Sequence, residues 1–138
     1  MDKCIPENLL KGNELKITSQ RVLVLNEIIN KKKPFSANDL FLSLKNKIDL
    51  TTIYRILLIF KNKRLIREVV NKNEIQFYEL SCVHNPAHVH FLCNNCGKIF
   101  CLDPLPEKAL LSIGKIKKDF ITDEISINLT GLCSNCSK

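Results

Sequence analysis

No stretch of the 138-residue chain approaches the roughly 20 consecutive apolar residues that a bilayer-crossing helix needs. The opening segment MDKCIPENLLKGNELK lacks the apolar core of a secretory leader. Glycine and proline are sparse, at four and five, and the sequence carries no internal repeat or low-complexity tract. A balance of 45% hydrophobic and 25% charged residues excludes a wholly disordered chain. These absences leave a soluble, cytoplasmic globular protein of one domain, or two very small ones.

What the chain does hold is unevenly spread. Residues 1–79 carry 15 basic and 9 acidic side chains, a net +6, and residues 80–138 carry 6 and 5, a net +1. Cysteine shows the opposite bias: six of the seven, and all three histidines, follow residue 80. A basic half before a Cys/His half suggests a polyanion binder joined to a metal-binding module. An odd number of thiols in a reducing cytoplasm favours metal over disulfides.

In the first half, Val22, Leu25 and Ile29 recur at helical spacing between Leu15 and Lys31, with Thr18 placed as N-cap. Pro34 ends that helix. Ser36 and Asp39 form a capping-box variant before a second helix carrying Leu40, Leu44 and Ile48. A third is predicted from Thr51 or Thr52 to about Lys63, burying Ile53, Leu57 and Phe60. Residues 65–70 and 75–80 then read as a β-hairpin. Three helices and a hairpin describe a winged helix-turn-helix, whose third helix enters the major groove. From Arg55 to Lys72 there are six basic residues and one acid, where a phosphate backbone would pass. Tyr54 and Arg55 stand in the first turn of the recognition helix, where arginine can donate two bonds to guanine and tyrosine can meet a thymine methyl. The competing readings are a protein-binding module with a solvated lysine face, and Tyr54 as a core aromatic.

In the second half, Cys93–Cys96 and Cys133–Cys136 are two Cys-x-x-Cys pairs, enough for a closed tetrahedral four-sulfur zinc site with a structural role. The 36 residues between the pairs exceed a simple zinc ribbon, so a substructure lies between them. It reads as a strand at 98–102, a helix at 105–117 with Leu105, Ala109, Ile113 and Ile116 on one side, and a strand in which Ile125, Ile127 and Leu129 alternate. Cys82, His84, His88, His90 and Cys101 remain for a second metal, with His84 the bystander. His88 and His90 face one way on a strand, and imidazole with thiolate favours zinc.

Six segments in order, LKITSQR (15–21), SANDL (36–40), TTIYRIL (51–57), FYEL (77–80), HVHFLCNNCGK (88–98) and GLCSNC (131–136), resemble the ferric uptake regulator family over nearly the whole length. The resemblance implies an α+β protein: a winged helix-turn-helix DNA-binding domain over 1–80, then a small α/β dimerisation domain over 81–138 stapled by structural zinc at Cys93, Cys96, Cys133 and Cys136. It implies a homodimeric, metal-dependent transcriptional repressor of metal homeostasis genes. The partners are double-stranded operator DNA and a second copy, with no membrane and no small-molecule substrate. By the same resemblance Lys16 reaches the minor groove, Tyr54 and Arg55 read bases, and Thr18, Arg21 and Thr52 match backbone contacts. The regulatory metal would take Cys82, His88 and His90, with Glu68 or Cys101 as fourth ligand.

The departures bear on the metal. Ala87 and Val89 replace two ligands of the family's usual HisHisAspHis core, Ile125 stands where a further histidine is common, and no histidine precedes His84. Iron and manganese sensing rests on N/O ligands, whereas thiolates favour zinc. The expectation is therefore a zinc-responsive repressor with a second, regulatory Zn2+. The alternative is an iron- or manganese-responsive or peroxide-sensing regulator of the same family. A zinc hydrolase is disfavoured because no glutamate stands in a His-Glu-x-x-His arrangement. Cys4 reads as an exposed terminal thiol.

Overall fold

The caps expected at Thr18 and Ser36 both form in the computed structural model, which describes residues 4–82, 85–86, 88–122 and 124–138. Thr18 accepts from Arg21 N at 3.2 Å and starts α2 (Ser19–Asn30). Ser36 and Asp39 exchange side chain-to-backbone bonds of 3.2 and 2.9 Å at the start of α3 (Ala37–Ser43). Because this box satisfies two otherwise orphaned N–H groups, Ser36→Ala should lower stability by about 1 kcal/mol. A shift of the urea midpoint without a change of slope is the expected reading.

Two boundaries differ from expectation. A further helix, α1 (Pro6–Gly12), precedes α2, so four helices rather than three come before the hairpin. Pro6 presets its first turn and Leu10 is fully buried. The recognition helix α4 runs Leu50–Asn62 with Asp49 as its N-cap, so it begins one or two residues before the expected start at Thr51 or Thr52. The apolar face of α2 is also turned: Val24, Leu25 and Ile28 are buried, while Val22 and Ile29 are partly covered.

These helices close over one core with Phe35, Leu40, Ile53, Leu57 and Phe60 at its centre. Strands β1 (Ile66–Lys72) and β2 (Ile75–Leu80) pair antiparallel as the wing. Asn73 and Glu74 link them, both at positive φ (51° and 67°), the requirement of a type I′ hairpin turn. Phe35 bridges to Tyr78 through two backbone bonds of 2.8 and 2.9 Å, tying the wing to the segment before α3.

The chain divides into two compact units, Met1–Cys82 and Val83–Lys138. In the second, β3 (His88–Cys93) is central, antiparallel to β4 (Ile99–Pro104) and parallel to β5 (Ile127–Gly131), with α5 (Glu107–Gly114) in the crossover. The face predicted to be core is not covered within one chain: α5 has no buried residue, Ile116 is 80% exposed and Leu129 46%. Three short strands and one eight-residue helix enclose too little volume to bury both sides of the pattern. Among the described residues, this unit buries only Val89, His90, Cys93 and Cys133.

Candidate metal centres and nucleic-acid interface

The two Cys-x-x-Cys knuckles meet. The sulfurs of Cys93, Cys96, Cys133 and Cys136 all lie within 4.8 Å of one another, and Cys96 and Cys133 are 3.9 Å apart. A tetrahedral ion with bonds of about 2.3 Å would hold sulfurs at nearly that separation. Gly97 closes the first knuckle at φ 75°, and Gly97 N donates to Cys93 O. Backbone N–H groups of Cys133 and then Cys96 point at Cys93 Sγ (3.4 and 3.5 Å) and hold its thiol down to about 6. At Cys136 the Asn95 side chain draws the thiol down, but the crowding sulfurs of Cys133, Cys93 and Cys96 push it up to about 11. Four thiols so close cannot all ionise without a cation between them. The donor set therefore fits a metal.

A second cluster forms on β3 and β4. His90 is 2% exposed and pairs across the ladder with Cys101. The His88 and His90 rings are 4.4 Å apart. The ligand atoms of His88, His90 and Cys101 lie within 4.8 Å of one another. His88 Nδ1 faces Pro86 O at 2.9 Å; with the proton on Nδ1, Nε2 presents its lone pair, the arrangement that orients metal-bound imidazoles. These three donors also fit a metal. Two other expected ligands belong to the N-terminal unit. Glu68 makes an ion pair with Lys61 at 2.8 Å. Cys82 Sγ stands 3.6 Å from Cys4 Sγ, so Cys4 is a half-buried partner and not an exposed terminal thiol. His84 and Ala87 lie outside the described residues.

In the N-terminal unit, burial of Ile53, Ile56, Leu57 and Phe60 turns the opposite side of α4 outward, with Tyr54 (55% exposed) and Arg55 on it. The core-aromatic reading of Tyr54 is thereby excluded. Thr52 N and Oγ1 both bond the Asp49 carboxylate, at 3.1 and 2.6 Å, and the hydroxyl is the chief reason this carboxyl sits below its usual range. Thr52 thus fixes the first turn that carries Tyr54 and Arg55. Arg21 Nη1 donates to Lys16 O at 2.9 Å and braces the segment from which the exposed Lys16 projects.

Residues 12–127 match the profile of the "Ferric uptake regulator family". The chain is 30% identical over 135 residues to the "Ferric uptake regulation protein" of Bordetella parapertussis, with 94% of each chain covered. It is 26% identical to the "Peroxide operon regulator" of Bacillus subtilis, over 94% of this chain and 89% of that one. Among solved structures, the ferric uptake regulator of Pseudomonas aeruginosa with manganese superposes with a TM-score of 0.77 at 20% identity, covering 95% of this chain and 99% of that one.

Proposed function

The chain belongs to the ferric uptake regulator family, and from that premise we propose that it is a zinc-responsive repressor of metal homeostasis genes. The family's proteins are dimeric, metal-dependent, DNA-binding transcription regulators and not enzymes. Among the described residues no helix is long and apolar enough to cross a membrane. The finer reading puts the protein in the cytoplasm beside the DNA it reads, with its thiols reduced.

We assign the tetrad of Cys93, Cys96, Cys133 and Cys136 to structural Zn2+, since four thiolates leave no open position. The regulatory ion is assigned to His88, His90 and Cys101, and to Cys82, the ligand that the family resemblance implies. The observation that carries the zinc reading is the Cys101 thiol beside both imidazoles: two imidazole nitrogens with one thiolate favour zinc over iron or manganese. Cys101 rather than Glu68 is the acidic or thiol partner supported, because Glu68 is engaged by Lys61. In the DNA-binding unit, Tyr54 and Arg55 read base edges, Lys16 enters the minor groove, and Thr18, Arg21 and Thr52 hold the backbone-facing surface in shape.

A bound metal supplies positive charge and fixed directions to its ligands. His88 is oriented for this by Pro86 O, His90 is desolvated on β3, and Cys101 is brought opposite His90 by strand register. Metal can change DNA affinity only to the extent that it binds one conformation better, with couplings of about 1–3 kcal/mol being usual. Operator DNA should then tighten metal binding by the same factor.

Metal content after purification without added metal, followed by operator binding titrated with free zinc, iron and manganese, tests this. One tight zinc per chain and a second whose binding switches on DNA affinity are expected. Cys101→Ser should weaken zinc activation by more than the roughly 10–100-fold typical of losing an outer-shell partner, with the tight zinc retained. Activation by iron or manganese but not zinc would overturn the zinc reading and leave the iron- or peroxide-type regulator named among the relatives.

A further inference from the structure

Between Thr51 and Phe60, α4 exposes Thr51, Tyr54, Arg55 and Leu58, and it buries Ile53, Ile56, Leu57 and Phe60. The exposed side chains stand at i, i+3, i+4 and i+7, the spacing that lines one face of a helix over two turns. Homeodomain recognition helices meet bases with side chains at this same spacing. Thr51, Tyr54 and Arg55 suit that task by their polar groups. Leu58 differs: it is 57% exposed, has no hydrogen-bonding group, and continues the line of Tyr54 and Arg55 by one turn. A singly exposed leucine is ordinary on a protein surface, but Leu58 shares its face with the two side chains assigned above to base edges. The charge around it favours a polyanion. Helix α4 holds Arg55 and Lys61 and no acidic side chain, and Lys63 and Arg64 follow it on the exposed surface.

We infer that Leu58 is a specificity-determining residue that selects thymine in each operator half-site by packing on the thymine C5 methyl. The inference rests on the DNA-reading function proposed above and deepens it. Four residues of helix rise set Leu58 about 6 Å beyond Tyr54 along the axis. That is nearly two base-pair steps of about 3.4 Å, so in a helix lying along the groove Leu58 addresses a base pair of its own. Guanine, cytosine and adenine present donors and acceptors in the major groove, and the thymine methyl is the one apolar group on the base edges. A leucine set against the other three bases covers polar groups that it cannot partner, which costs affinity. Against thymine it removes a methyl group from water. The same side chain thus favours one base and penalises three.

The probe is the tightest duplex selected from a random-sequence library by the full chain, loaded with whichever of zinc, iron and manganese gives the strongest binding. Each thymine of its half-sites is then replaced in turn by deoxyuridine, which pairs as thymine does and lacks only the methyl. One replacement should weaken the unsubstituted protein roughly fourfold per half-site, or about fifteenfold for a dimer, and should have no effect on Leu58→Ala. A penalty at a thymine met by Tyr54 should persist in Leu58→Ala, which separates the two side chains. Leu58→Met keeps the apolar volume and should keep the thymine preference. Both variants should melt with the unsubstituted protein, because the side chain is exposed. A selected sequence that Arg55→Ala relaxes, with no deoxyuridine penalty or with every penalty unchanged in Leu58→Ala, would overturn the role of Leu58 and leave the DNA reading standing. Failure to select any sequence would overturn both.

Discussion

Arg55→Ala is expected to weaken operator binding by roughly two to four orders of magnitude while leaving the melting temperature unchanged. A bidentate arginine–guanine contact contributes about 1–3 kcal/mol of discrimination. A dimer reads two half-sites and so loses about twice that. The side chain is exposed on α4 and has no part in the core, so its removal has no packing cost. The loss should be sequence-selective, with discrimination against changes at one base of each half-site relaxed. Arg21→Ala provides the contrast: at a position matched to a backbone contact, its loss should weaken all sequences alike and reduce the slope of log affinity against log salt by about 1 for each phosphate left without its cation. Fluorescence anisotropy over a salt series, with an operator and a scrambled duplex, separates the two. Unchanged operator affinity in Arg55→Ala would remove α4 from base reading.

Removing the tetrad's metal should unfold the C-terminal unit while the N-terminal unit keeps its structure. Among the described residues that unit buries four side chains, and two of them, Cys93 and Cys133, are tetrad ligands. Structural zinc supplies about 10–16 kcal/mol of apparent folding free energy in small domains at neutral pH, more than so small a core supplies. Cys93→Ser, or a strong chelator, should therefore expose residues 83–138 to limited proteolysis and abolish the near-ultraviolet signal of Phe91 against Phe100, whose ring centroids are 6.4 Å apart. Acid should act in the same direction. Metal is held by thiolates, so protonating the tetrad releases it and removes that folding free energy. A protease-resistant C-terminal unit after complete metal removal would show that its sheet stands without the staple.

Much of this was legible in the sequence where a local rule decides the outcome. Thr18 and Ser36 sit where caps belong, the Asn73–Glu74 turn lies between two apolar alternations, and the paired cysteines carry their spacing with them. Helix α1 was not legible, because seven residues with one buried leucine give periodicity nothing to repeat. The Ile116 and Leu129 face was legible as apolar but not as uncovered, since an alternating pattern states which side is apolar and not what covers it. In a family of dimers, a second copy is the natural cover. The contacts of Glu68 with Lys61 and of Cys82 with Cys4 depend on the closed fold. No spacing rule reaches across 78 positions.

The parallel pairing of β3 with β5 also sets an order of events during synthesis. The N-terminal unit draws its strand pairing from within residues 4–82, with β1 and β2 joined by a two-residue turn, so it can fold once β2 has emerged. The C-terminal unit cannot. Its central strand lacks one edge partner until β5 has been made, and its first knuckle lacks two ligands until Cys133 and Cys136 follow. Through that interval the strand edge of β3 and the thiols of Cys93 and Cys96 await partners that are not yet translated. The growing polypeptide thus passes through a stage in which its reader of DNA is complete and the half that holds metal is not.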